Sequence, residues 1–304
     1  MRKKILFGGV RVLHKSSART EEPFSPSVCE GGFCLRIPQW EEEYPSCTVG
    51  ITLWKNPEVE SQYQLPWGAH GTLWAQVVHN RRRLCCFLDM DMECWTMAEQ
   101  VHDTRVAWVT PYRRGRGSSS REDAFPDADG LATDLKDVLL AICVADCVPV
   151  YLMYKEPDSP QGKPFLGLLH AGWRGTAGGI VRQVIPHLRK LWVPLSEVRV
   201  ALGPSIGPCC FQVREDVAQL LLASSPCPSV GELDSTTGWW RIDLRAILVA
   251  QCVELGVNRE HILVSQWCTC CSREPRFHSH RRQPEVGLRM AAWLGWRSNG
   301  RGWE

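Results

Sequence analysis

Three residues of unlike type and remote position raise the question of chemistry: His102 in EQVHD, Cys147 in VADC and His170 in LLHAGWRG. One thiolate and two neutral imidazoles form a soft-to-borderline donor set suited to zinc, and three protein ligands leave a fourth position open for water or substrate. A metal held this way lowers the pKa of a bound water and polarises an attacked centre or its leaving group. The spacing is not compact, so two other readings stand beside the metal site. Cys147 would serve as a nucleophile activated by either histidine, or the three would simply be packed and hydrogen-bonded residues. A Cys147 bound to zinc is not also a free nucleophile.

Neighbouring residues extend each reading. Gly172 and Gly175 permit close backbone approach, and Arg174 presents a fork that grips phosphate or carboxylate in two places. A helix expected to begin near Thr176, with Ile180, Val184 and Leu188 on one face, would offer unpaired N–H groups to an anion. Neither GxxxxGK[ST] nor GxGxxG is present, so nothing points to an ATPase or a dinucleotide enzyme. Within Arg81–Arg82–Arg83 one guanidinium is available to turn toward an anionic ligand, the others forming a solvated helix face. Asp146 beside Cys147, or Asp134 upstream, would orient a ligating histidine or relay a proton, with a turn cap as the plainer reading of each. Gln212 is placed to hydrogen-bond a polar substrate but does not titrate. Cys268 and Cys271, spaced C-x₂-C, precede His278 and His280, a set that would close a structural zinc site. The alternative is a rim loop bringing His280, Arg281 and Arg282 to substrate.

The elements that must position these residues alternate in type. Ile5 to Leu13 reads as a first strand rather than a secretory segment, Ile51 to Trp54 as another, and Ala75 to Phe87 as a helix. Val106 to Val109 is a short strand, followed by a charged Gly/Ser-rich loop from Pro111 to Asp129. Residues 138 to 154 are too apolar for a surface helix, and Pro149 divides them into two buried strands meeting at Asp146–Cys147. A strand ends at His170, another covers Val198 to Leu202, and a helix runs from Arg214 to Leu222. A second helix is capped by Asp243, carries Leu244, Ile247, Leu248, Cys252 and Leu255 on one face, and stops at Gly256. HILVSQ supplies a last strand before CTCC. Strands alternating with helices without a dividing linker predict one α/β domain over residues 1–304.

Composition narrows the class. A chain of 304 residues with 44% apolar side chains buries a core without staples, and a net charge of +2 gives no reason for a nucleic-acid partner. No run of apolar residues is long enough to span a bilayer, so no membrane partner is expected and the cytoplasm is the default location. Fifteen cysteines, with adjacent pairs at 85–86 and 209–210, suit buried thiols better than a disulfide framework.

Taken in order, QVH at 100–102, ADCVPV at 145–150, HAGWRG at 170–175, GPSIGPCCFQV at 203–213, CTCC at 268–271 and FHSHRR at 277–282 resemble the multicopper-polyphenol-oxidase-like, or laccase-domain, family of purine nucleoside phosphorylases. The match spans roughly residues 75 to 293, and residues 15 to 66 form a divergent N-terminal segment. The resemblance implies a single α/β domain of mixed β-sheets flanked by helices, not a cupredoxin fold. It implies a zinc site on His102, Cys147 and His170, with Asp146 among the catalytic residues. Arg81, Arg174, Gln212, His280, Arg281 and Arg289 become the substrate or phosphate contacts. The implied partners are a purine nucleoside (adenosine, inosine or methylthioadenosine) and inorganic phosphate, on a monomer or alternatively a homodimer, with adenosine deamination as a second activity. The alternatives are a copper-dependent polyphenol oxidase and a weakly catalytic zinc protein that acts through interactions. Gln212 stands where related sequences commonly carry glutamate, and Asp103 where a glycine is usual. Arg289 lies in an altered ending, VGLRM.

Overall fold

The computed structural model describes residues 21–29, 32–53, 74–156, 164–273 and 277–298. The strand expected at Ile5–Leu13 lies outside these residues. In chain order the elements are β1 (Ser25–Cys29), β2 (Gly32–Arg36), α1 (Pro38–Glu43), β3 (Cys47–Thr52), α2 (Trp74–Phe87), β4 (Trp95–Met97), β5 (Val106–Trp108), β6 (Gly130–Thr133), β7 (Val138–Val144), β8 (Val148–Lys155) and β9 (Pro164–Ala171). They continue with α3 (Trp173–Ala177), α4 (Ile185–Lys190), β10 (Arg199–Leu202), β11 (Gln212–Val213), α5 (Glu215–Ser224), β12 (Gly231–Asp234), β13 (Trp239–Ile242), α6 (Leu244–Glu254), β14 (Ile262–Val264) and β15 (Met290–Trp296).

Two open, mixed six-stranded sheets face each other, ordered β1-β2-β3-β15-β7-β4 and β14-β10-β8-β9-β6-β5, with a small third sheet β11-β13-β12. The alternation of side chains along the central strands explains the layering. On β7, Val138, Leu140, Ile142 and Val144 enter the core between the large sheets, while Leu139 and Ala141 pack outward with Leu84 and Cys85 of α2 and with Leu88 just beyond it. On β8, Tyr151 and Met153 point into the same inter-sheet core, whereas Val148, Val150 and Leu152 face a second core shared with α5 and α6. With both faces covered, residues 138–154 read as one apolar run, which is why periodicity alone does not separate strand from helix there. Tyr151 Oη donates to Gly50 O at 3.0 Å, a buried tie from one sheet to the other. Among the described residues no helix is long and apolar enough to cross a membrane.

One expected helix breaks. The pattern Ile180, Val184, Leu188 does bury all three residues, but α3 starts at Trp173 and lasts five residues, a 3₁₀ turn covers Ile180–Val184, and α4 follows. Gly179, at φ +73°, is the break, and Pro186 sits in the first turn of α4, where a missing N–H costs little. No long helix therefore begins near Thr176, and the anion site drawn from one is withdrawn. Asp243 caps α6 as expected, accepting from the N–H groups of Arg245 and Ala246.

Candidate metal centre and cavity

The three chemistry-bearing segments meet where the two large sheets end. His170 is the penultimate residue of β9 and shares the alternation of Leu166 and Leu168, so its ring enters the space between the sheets. Cys147 occupies the tight connection between β7 and β8, directly after Asp146, whose φ of +88° turns the chain. His102 lies in the loop after β4, itself at φ +64°, as is Gln100. The ligating atoms of His102, Cys147 and His170 all lie within 4.8 Å of one another. A tetrahedral zinc with these donors requires separations of roughly 3.4–3.6 Å, so the set closes around the ion with small rotations. The His102 and His170 rings meet edge to face at 4.9 Å. His170 is buried, Cys147 half-buried and His102 exposed. Gly172 makes the close approach possible: a Cβ there would sit 3.1 Å from Cys147 Sγ and 3.4 Å from His102 Cδ2.

A residue outside the expected set orients the centre. The fully buried Asp129 accepts from His170 Nδ1 at 2.8 Å and from the backbone N–H groups of Val101 (3.0 Å), His102 (2.9 Å) and Asp103 (2.8 Å). An ionised carboxylate only accepts, so Nδ1 carries the proton and Nε2 is the nitrogen that would take a metal. The same carboxylate holds the left-handed turn that presents His102. Gln100 completes the loop by mimicking a strand: its side chain accepts from Cys143 N and donates to Cys143 O, each at 2.7 Å. The expectation that Asp146 or Asp134 orients a histidine is thus corrected to Asp129.

Electrostatics follow from this geometry. Burial raises the Cys147 thiol, but His170 and His102 outweigh it and bring the pKa down to about 6. Burial lowers His170, but the Cys147 thiolate and Asp129 overcome that and raise it to about 9. Both directions favour a thiolate paired with an imidazolium when no metal is bound. Asp129 resists the upward push of burial, and the bonds from His170 and the backbone hold it below the usual carboxylate range.

Beside the centre lies a cavity of about 700 Å³. Of the six expected contact residues, Arg81, Arg174, His280, Arg281 and Arg289 line it, and Gln212 does not. Gln212 contributes instead its backbone carbonyl, which accepts from the Arg281 guanidinium at 3.3 Å. Arg81 is the inward member of its triplet, buried between Trp74 and Trp95 with Nη1 donating to the carbonyls of Gly117 and Ser118. Arg82, by contrast, is exposed. Asp146 reaches the cavity wall but directs its carboxylate to Thr269 Oγ1 (2.6 Å), Ser279 Oγ (3.0 Å) and Arg281 N (2.7 Å), tying the 268–282 segment to the Cys147 turn. Trp74, Trp173 and Phe211 supply aromatic wall that sequence reasoning did not single out. The later C-x₂-C is also corrected. Cys268 and Cys271 converge on Cys209 and Cys210, not on His278 and His280. His278 is buried, and His280 faces the cavity.

Residues 70–297 match the family described as multi-copper polyphenol oxidoreductase laccase. The chain is 38% identical over 260 residues to the purine nucleoside phosphorylase YlmD of Geobacillus stearothermophilus, covering 83% of this chain and 91% of that one. It is 31% identical over 207 residues to adenosine deaminase RL5 from an unknown prokaryotic organism, covering 68% and 77%. The crystal structure of YlmD from Geobacillus stearothermophilus superposes with a TM-score of 0.79 at 36% identity, over 91% of this chain and all of that one. That of the Bacillus licheniformis hypothetical protein YfiH gives 0.78 at 31% identity, over 90% and 99%.

Proposed function

The chain belongs to the multi-copper polyphenol oxidoreductase laccase family, and from that premise we propose that it is a purine nucleoside phosphorylase. It would cleave adenosine, inosine or methylthioadenosine with phosphate to the free base and ribose 1-phosphate or its methylthio analogue. The observation that carries this reading is the convergence of His102, Cys147 and His170 beside a cavity lined by five arginines, Arg81, Arg121, Arg174, Arg281 and Arg289. Their donor set suits zinc, which when bound supplies a Lewis acid at the cavity wall.

The chain's own groups account for the rest. Arg81, Arg174, Arg281 and Arg289 place positive charge where a phosphate dianion must be held close to a sugar. Trp74, Trp173 and Phe211 offer flat apolar faces to a purine ring. In the reaction a phosphate oxygen bonds to the anomeric carbon as the carbon–nitrogen bond to the base breaks, and the proton carried by hydrogen phosphate ends on the departing base. Arginines fixed by backbone carbonyls, as Arg281 is by Cys210 O at 3.0 Å, orient the nucleophile without reorganising during the step. Asp129 and Asp146 act as positioning residues, the first on His170 and the second on the Arg281 backbone.

Adenosine deamination is the second reading, favoured by the likeness to adenosine deaminase RL5. Zinc-loaded protein incubated with each nucleoside, with and without phosphate, tests both readings by chromatography. Phosphate-dependent free base establishes phosphorolysis, and inosine from adenosine without phosphate establishes deamination. Folded Cys147→Ala and His170→Ala proteins lose turnover if the centre is correctly placed. An inactive parent favours the interaction-protein alternative, and phenol oxidation by copper-loaded protein alone favours the polyphenol oxidase.

A further inference from the structure

The second cysteine cluster lies outside the catalytic constellation. Two loops build it: residues 203–211, between β10 and β11, and residues 265–273, after β14. They run together as a parallel bridge at Ser205 and Cys268, with Thr269 N donating to Ser205 O at 3.0 Å. A turn in which Cys210 N and Phe211 N both donate to Gly207 O folds the 203–211 loop back and delivers Cys209 and Cys210 side by side. Opposite, Ser272 N donates to Cys268 O and closes the C-x₂-C knuckle. The four sulfurs of Cys209, Cys210, Cys268 and Cys271 lie within 4.8 Å of one another. Sulfurs around a tetrahedral zinc stand about 3.8 Å apart, the edge set by a 2.3 Å zinc–sulfur bond. Cys209 Sγ and Cys271 Sγ are 3.6 Å apart, near that edge and well beyond the ~2.05 Å of a disulfide. Gly207 N points at Cys268 Sγ at 3.2 Å, one of the N–H groups that neutralise thiolate charge in such knuckles.

The geometry points to a structural zinc site on Cys209, Cys210, Cys268 and Cys271, separate from the His102–Cys147–His170 centre. Four thiolates fill a tetrahedral shell and leave no open position, so this ion holds structure and takes no substrate. What it holds is a wall of the cavity. Cys210 directly precedes Phe211, which lines the cavity, and Cys210 O anchors the Arg281 guanidinium that stacks on that ring at 5.8 Å. The ion staples both loops at the point where Arg281 takes its direction.

Metal content tests this without reference to turnover. Protein purified under reducing, anaerobic conditions is expected to carry about two zinc ions per chain by plasma mass spectrometry. A Cys209→Ser/Cys210→Ser protein is expected to carry about one, because its catalytic centre is untouched, and Cys147→Ala/His170→Ala to carry about one in the tetrathiolate site. Cobalt substitution separates the two. Intense thiolate charge-transfer absorption persists in Cys147→Ala/His170→Ala and largely disappears in Cys209→Ser/Cys210→Ser. The unmutated protein supplies a check independent of variant folding, since titration with an organomercurial releases zinc in two separable steps. About one zinc per chain in the unmutated protein, unchanged content in Cys209→Ser/Cys210→Ser, copper in place of zinc, or a native Cys209–Cys271 disulfide would overturn the site.

Discussion

Asp129 is the most informative residue to perturb, because one carboxylate fixes both a histidine ring and the turn carrying another ligand. Its Oδ1 serves His170 Nδ1 and His102 N, and its Oδ2 serves Val101 N and Asp103 N. In Asp129→Asn one oxygen becomes an NH₂ facing donors, so two N–H groups lose their acceptor. An unsatisfied buried donor costs about 1–3 kcal/mol. The amide nitrogen will settle on the Oδ2 side, where the exposed Val101 and Asp103 give water access, so the expected loss of stability is about 2–4 kcal/mol rather than the full sum. Loosening the partner of a metal-bound histidine weakens binding by about 10- to 100-fold. Competition against a chromophoric zinc chelator reads the second effect, and urea unfolding of metal-free protein reads the first. The pH dependence carries a sign. The Asp129 pKa is held down in the folded state, so its contribution is present above the ordinary carboxylate range and is lost as pH falls through the folded value. The stability gap between parent and variant should therefore close below about pH 4. A variant that binds zinc within about threefold of the parent and unfolds at the same urea concentration would refute the assignment of Asp129 as the positioning residue.

Zinc binding to His102, Cys147 and His170 should displace about one proton between pH 6 and 9, taken from His170 while Cys147 is already ionised, so affinity rises about tenfold per pH unit across that window. Calorimetry in buffers of differing ionisation enthalpy measures the proton count, and a count near zero contradicts the thiolate–imidazolium pair. Gly172→Ala should keep its fold, since φ −71° suits alanine, yet weaken zinc binding about tenfold because the new methyl presses on Cys147 Sγ and His102. An unchanged cobalt spectrum would count against the cradle. Asp146→Asn should raise KM for phosphate more than it lowers kcat, with about 1–3 kcal/mol of lost stability, because the Arg281 backbone loses its acceptor. Asparagine tolerates the φ of +88° at this position, so strain will not confound the result. Equal KM values in the two proteins would place Arg281 outside phosphate binding.

Features encoded locally are the ones the sequence discloses. The Asp243 cap and the division of residues 138–154 into two strands at Asp146–Cys147 each depend on neighbours within a few positions. What fails to show is whatever sheet topology creates. Asp129 sits 41 residues from His170, and an aspartate before a glycine at a strand entry looks like an ordinary turn residue. It meets His170 because β6 pairs antiparallel with β9, putting Gly130 opposite Leu169. The same limit governs the cysteines. C-x₂-C is half a site legible in one segment, but its partners come from a loop that reaches it through the parallel β10–β14 pairing. Gln212 marks the converse case. A residue singled out by its place in a recognised motif turns its carbonyl, not its amide side chain, to the work of holding Arg281. Gln212 is not among the residues that line the cavity, whereas Arg281, which its carbonyl holds, is.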